Sequence, residues 1–237
     1  MVRPAALGQY ASPQVADSEV TLLVPVGSVE QHGPHLPLDT DTRIAVAVAA
    51  GTRSALSDPA HYVIAPEIAY GASGEHEGFA GTISLGQEAL AGLLIEFGRS
   101  ACRWARRIVF VNGHGGNVAT LATAVRTLRY ERREVTWYAC AFPGGDAHAG
   151  HTETSILLHL SPESVRIDRL EPGNCEPMGV LMGAMRSGGV VAVSENGILG
   201  DPRSATAEHG ADLLGGAVAD LARAVAGWTV DDGGRLR

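Results

Sequence analysis

A chain of 237 residues with 45% hydrophobic and 19% charged side chains, 30 Gly and 12 Pro has an ordinary globular composition and enough length to bury one sizeable core. That hydrophobic fraction excludes intrinsic disorder, and neither a Gly period nor a heptad pattern suggests a fibrous chain. Twenty-six acidic against 18 basic side chains leave a net charge of −8, a field that repels phosphate backbones and anionic headgroups, so neither nucleic acid nor membrane is expected as a partner.

The apolar runs Val20 to Val26 and Ile108 to Val111 are far shorter than the roughly 20 residues of a bilayer-spanning helix. Met1 to Tyr10 carries one Arg and no apolar core of signal-peptide length, so a cytoplasmic location is expected. Cys102, Cys140 and Cys175, odd in number and never arranged as CxxC, read as buried reduced thiols.

In chain order, Thr21–Gly27 is the first buried strand, short, branched and bounded by turn residues. Directly after it, Ser28 to Asp41 reads SVEQHGPHLPLDTD. Glu30 and His32 are one residue apart and project to the same side if the chain is still extended, so they converge on one point, to which Asp41 can return from the start of the next helix. Carboxylates with imidazoles and no thiolate suit Zn²⁺, Fe²⁺ or Mn²⁺. The competing reading is a polar turn in which Asp39 or Asp41 caps a helix.

A helix over Thr42–Leu56 and a strand over Tyr62–Pro66 follow, then a Gly-rich loop, Gly71 to Gly86, whose length without periodicity fits a binding loop. Glu75 and His76 in that loop are candidate substrate contacts, with a solvated His as the bland alternative. Gln87–Ala105 is expected as helix, with Arg103, Arg106 and Arg107 at a solvated helix end, and Arg107–Asn112 as strand. Next comes VNGHGGN, where three Gly residues around His114 let backbone pass close to a ligand. Neither GxGxxG nor GxxxxGK[ST] is present, which excludes a phosphate loop and leaves a metal ligand or a His satisfied in a tight turn.

Val118–Arg132 is expected as helix and Val135–Cys140 as strand. The segment Gly144 to Ser155, GGDAHAGHTETS, then supplies Asp146, His148, His151 and Glu153. A carboxylate and imidazole pair beside a metal can move protons to and from a scissile amide, while the competing reading has Thr152 or Thr154 as N-cap and Glu153 complementing the dipole. Helices over Thr154–Leu160, Met178–Arg186 and Ala205–Trp228 complete the pattern, and Asp231 to Arg237 reads as a loose tail. The alternation predicts one α/β domain over residues 1–237, with a mostly parallel sheet covered on both faces and the polar motifs beyond its strand ends.

SVEQHGPHLPLDTDT, NGHGGN and HAGHTETS, in that order and at these separations, resemble the creatininase family of metal-dependent amidohydrolases, from about Leu22 to beyond Ser161. The resemblance implies a three-layer α/β/α sandwich, hydrolysis of non-standard amide bonds at a metal centre of one or two divalent ions, Fe²⁺ or Zn²⁺ with Mn²⁺ also admitted, and a homo-oligomer, often a hexamer. Glu30, His32 and Asp41 match the ligands of the first motif, with the Asp bridging two ions, and His114 matches that of the second. Creatinine-cleaving members carry a metal-binding carboxylate two residues after that His, where this chain has Gly116. Glu153 is the candidate replacement, as ligand or proton shuttle, and His148 matches the catalytic His. The lid Trp of those members is missing from Ala141 to Ala147.

GASGEHEGFAGTIS, RWARRIVFVNGHGGN and GGDAHAGHTETSILLHLSPE look more like members acting on a small modified precursor peptide, from which they release a cross-linked C-terminal Val-Tyr dipeptide on the way to a redox cofactor. A hydrolase of a small cyclic amide is the same-family alternative. A metal-binding module without catalysis is the alternative of another class.

Overall fold

The computed structural model describes residues 5–16 and 19–237, so the first four residues of the segment read above for export lie outside the described residues. Strand β1 (Thr21–Val26) is buried at every position. An all-apolar run of that kind belongs in a parallel sheet covered on both faces, because each side chain finds a helix whichever way it points. β1 pairs in parallel with β2 (Tyr62–Ile64) and β3 (Arg107–Asn112), and β3 with β4 (Val135–Ala139), giving the order β2-β1-β3-β4. β2 ends two residues earlier than expected, ahead of Pro66, which has no N–H to give to a ladder.

The period-two alternation of β1 divides the core. Leu22, Val24 and Val26 pack with Leu90 and Leu94 of α2 (Gly86–Ala101) and with Leu121, Val125 and Leu128 of α3 (Val118–Tyr130). Leu23 of β1 joins Val109 and Val111 of β3 on the opposite face. There they meet Ile44 and Val48 of α1 (Thr40–Ala55), Ile156 and Leu157 of α4 (His151–Leu160), and Leu221 and Val225 of α6 (Ala207–Gly227). Two helices on one face and three on the other make the expected α/β/α sandwich. A further helix, α5 (Met178–Gly188), buries only Leu181 and rests on a small apolar cluster of its own. No helix among the described residues is long and apolar enough to cross a membrane.

Three expectations are corrected. α4 begins at His151 rather than Thr154, because Asp146 accepts hydrogen bonds from the backbone N–H groups of His151 and of Thr152 (3.0 Å) and caps the helix from outside it. Asp231 to Arg237 is no loose tail: Leu236 N donates to Trp137 O (2.8 Å), Trp137 N donates to Gly234 O (3.1 Å), and Leu236 is 1% exposed in the core. The segment covers what would otherwise be the open edge of β4. Of the three free thiols, Cys102 and Cys140 are half-buried and Cys175 is exposed. The Arg cluster also divides, since Arg106 pairs with Glu19 and Arg107, on β3, lies over the Trp228 ring at 4.2 Å.

Leu236→Ala removes a buried side chain that anchors the terminal segment. It should lower stability by about 2–4 kcal/mol, read as a fall in the urea midpoint with the slope unchanged.

Candidate metal centre

From β1 the chain crosses to β2 on one side of the sheet, and from β3 to β4 on the other. The connections leaving β1 and β3 therefore part between two neighbouring strands, and a crevice opens beyond their carboxyl ends, the usual ligand position in such a sheet. Glu30 and His32 follow β1, His114 follows β3, His148 follows β4, and Asp41 and Glu153 lie in the first turns of α1 and α4. The first turn of α1 sits directly against both strand ends, because a Cβ on Gly27 or Gly113 would overlap the backbone of Thr42 or Asp41.

Three ligand-type groups result, each with its donor atoms within 4.8 Å of one another: Glu30 with Asp41 and His114, His32 with Asp41 and Glu153, and Glu30 with His32 and His148. Asp41 serves two of them. Its Oδ2 faces His114 Nδ1 at 3.2 Å and its Oδ1 faces His32 Nε2 at 3.3 Å, with Glu153 Oε2 3.8 Å from the same nitrogen. His114 Nε2 in turn lies 3.2 Å from Glu30 Oε2 and 3.5 Å from Glu75 Oε1.

A neutral imidazole has one N–H, so His114, with a carboxylate at each nitrogen, cannot satisfy both. Glu30 is fully buried, and neither of its carboxylate oxygens accepts a hydrogen bond. A buried carboxylate left in that state is expensive unless a cation meets it. The donor set of carboxylates and imidazoles without thiolate fits a borderline or hard divalent ion.

The electrostatics agree. Burial opposes charge on His32, yet Asp41 above all, with Glu153 and Glu30, outweighs it and carries the pKa up to about 10. Burial likewise opposes charge on His114, and Glu30 and Asp41 again prevail and raise it. Asp41, though buried, is held well below the ordinary carboxylate range by His32 and His114. Positive charge is thus demanded at two points, one on either side of Asp41. His148 behaves in the opposite way: burial and the nearby His32 lower its pKa, so its ring is neutral. Its Nε2 lies 2.8 Å from the Gln31 carbonyl oxygen and 3.0 Å from Gln31 Nε2, and its Nδ1 lies 3.7 Å from Glu30 Oε1. Glu153 is pushed up to about 7 by burial, against the pull of His32.

Every residue named from the sequence as a ligand or proton carrier therefore lies in one place. Glu75 and His76 line the same cavity, of about 640 Å³, Glu75 partly exposed and His76 buried against Gln31 Nε2 (2.9 Å). Of the remaining motif residues, Asp146 is the α4 cap, and His151 pairs with His209 (2.7 Å) in a neighbouring cleft. Several supporting residues were not singled out in the sequence. Gln31, between two ligand-type residues, holds His76 and Gly197 O through Nε2 and accepts from Gly33 N. Asn117, the last residue of NGHGGN, joins three segments by accepting from Ala72 N and donating to Gly27 O and Asn112 Oδ1. An Asn closing a Gly-rich turn was the available signal. Phe142, Met178, Met182, Met185 and Arg186 also line the cavity, and no motif marks them.

Gly116 has a steric reason. A Cβ there would overlap the Glu75 carboxylate, His114 Nε2 and the Ala72 carbonyl, so Glu75 occupies the room a larger residue would need.

A buried set of carboxylates and imidazoles at the switch point of a parallel α/β sheet, opening into a cavity, defines a hydrolase of the metal-dependent kind. The chain belongs to the creatininase family, whose pattern, described as creatinine amidohydrolase, matches residues 9–225. Among its relatives, a protein of Mycolicibacterium smegmatis named mycofactocin precursor peptide peptidase is 57% identical over 235 residues, 98% of this chain and 95% of that one. A mutant creatininase of Zn-Zn type superposes with a TM-score of 0.78 at 26% identity, covering 94% of this chain and 97% of that one. A creatininase solved with Mn gives 0.75 at 26%, covering 94% and 98%.

Two variants test the centre. His114→Ala should lower the divalent metal retained after dialysis, read by elemental analysis; full retention would take His114 out of the ligand set. Gly116→Ala should displace Glu75 and His114, lowering both the thermal midpoint and the metal content, because the Ala72 backbone cannot move aside.

Proposed function

We propose that this hydrolase is a peptidase that releases the modified C-terminal Val-Tyr dipeptide from the mycofactocin precursor peptide during biosynthesis of a redox cofactor. The reading rests first on the 57% identity to a relative of that name. The structural observation that carries it is the shape of the site. The cavity adjoins a second cleft of about 710 Å³ along Asp146, Ala147, Thr152, Met178 and Leu199, which gives the site room beyond the metal centre for a longer substrate. Adjoining clefts of this size suit an extended chain better than a small planar ring.

Glu30, Asp41 and His114 would hold one divalent ion, and His32, Asp41 and Glu153 a second, with Fe²⁺ or Zn²⁺ the ions that best suit these donors. Such ions supply Lewis acidity toward the scissile carbonyl and a more acidic water. His148 moves the proton. Burial favours the neutral ring, and with Nε2 protonated toward Gln31 O, Nδ1 would take the proton of the attacking water and return it to the leaving amine. Glu153, second in the proton path by position, completes the ligand set left short by Gly116. Glu75 and His76 contact substrate at the rim and wall of the cavity. A cytoplasmic homo-oligomer is part of the proposal, and Tyr130, Ile167 and Val180 offer exposed apolar surface for contacts between copies.

The decisive comparison sets the modified precursor peptide against creatinine at equal concentration with the same metal-loaded protein. Mass spectrometry should find the C-terminal dipeptide and little or no creatine. Creatinine turnover equal to or above that of the peptide would overturn the peptidase reading in favour of a cyclic amide hydrolase.

A further inference from the structure

All 18 basic residues of this chain are Arg. Among those lining the two adjoining clefts there is one, Arg186, against the carboxylates Asp41, Glu75, Asp146 and Glu153 in the metal cavity and Asp146, Glu176 and Asp201 in the neighbouring cleft. Most of the other described Arg residues are engaged: Arg43, Arg99, Arg106, Arg133, Arg169, Arg203, Arg223 and Arg237 pair with carboxylates, and Arg107 and Arg235 lie over Trp rings. Arg186 has no carboxylate within 4.0 Å among the described residues, although its cavity is otherwise acidic. It stands near the end of α5, the helix that forms one wall of the cavity.

The rest of that wall has a distinct chemistry. Met178, Met182 and Met185 follow at spacings of four and three residues, which places them on one face of α5, and all three line the cavity with Arg186. Unbranched thioethers adapt to apolar and aromatic side chains of varied shape. A guanidinium beside them offers a planar fork that pairs with a carboxylate in two parallel hydrogen bonds. Ligand-side chemistry follows from the combination: apolar side chains next to one carboxylate. The free end of a chain presents that arrangement whatever its sequence, whereas an internal stretch does so only where an Asp or Glu falls among apolar residues.

We infer that Arg186 binds the free C-terminal carboxylate of the peptide substrate while the Met face of α5 takes its last side chains, making the enzyme a reader of chain ends. The inference rests on the peptidase reading above. It explains why a cavity rich in carboxylates, which repels an anion, keeps one unpaired cation on its wall. The distance from that cation to the reacting bond would then fix how many residues leave with each cut, so specificity becomes a matter of length from the end.

The test compares the precursor peptide as free acid and as C-terminal amide, on the wild-type protein and Arg186→Gln. Arg186 makes no ion pair that its loss would break, and circular dichroism checks that the variant is folded. Amidation should lower kcat/KM of the wild type about 10- to 100-fold, the range of one charge-assisted contact. Arg186→Gln should show that loss on the acid and no added loss on the amide. Equal wild-type rates on acid and amide, or an acid preference that survives Arg186→Gln, would overturn the assignment. If the wild type cleaves neither peptide, the peptidase reading fails, and calorimetric titration with Val-Tyr and its amide decides Arg186 separately: tighter binding of the acid that disappears in Arg186→Gln upholds it, and no preference for the acid rejects it.

Discussion

The structure turns on a carboxylate that the protein itself does not satisfy. Glu30 is fully buried, and neither oxygen accepts a hydrogen bond, although His76 Nε2 lies 3.3 Å from one and His114 Nε2 3.2 Å from the other. Isolated, a charge in such a place would be neutralised by a proton or would unfold its surroundings. It is kept because positive charge is supplied around it. Asp41 adds to the same negative field, raising the pKa of His114 together with Glu30 and that of His32 together with Glu153. Such a region is costly without compensating positive charge, and a divalent cation held there would link its binding to folding.

What makes such a cluster tolerable is rigidity around it. Each functional side chain comes from a different loop, and loops set independently would not hold donor atoms within an ångström or so of the required place. Asn117 ties the loop before α3 to the end of β1 and to the Gly71–Gly86 loop, and Gln31 binds the His76 ring to the segment at Gly197. Ser28 Oγ donates to Asp41 Oδ2 at 2.5 Å and orients the carboxylate shared by both ligand groups. These bonds link backbone to side chain across long separations in sequence, which explains why they are essential to the site and leave no periodic trace in it.

Gly116 and Glu75 show how tightly two loops meet at the cluster. Room at the turn after His114 is limited by the Ala72 carbonyl, and Glu75 fills it from another loop. Glu153 stands 3.8 Å from His32 in the first turn of α4, whose start Asp146 caps. One side of the cavity belongs to α5, whose three Met and single Arg lie outside the ligand motifs.

From the sequence alone, the layer order was legible because β1 and β3 are continuous apolar runs and the helices between them keep a 3.6-residue period; burial on both faces leaves no other use for such strands. The ligand residues were legible for a related reason: Glu, His and Asp dense in turns that follow strands have few structural roles there. What the sequence did not decide was every matter of distance. That Glu153 stands with His32 and Asp41, that His148 sets its Nε2 against Gln31, that the last seven residues close an edge, and that α5 turns three Met and an Arg toward the cavity all depend on contacts between segments far apart in the chain. Periodicity encodes which face of an element is apolar, but only the packed sheet fixes which loops meet beyond its edge.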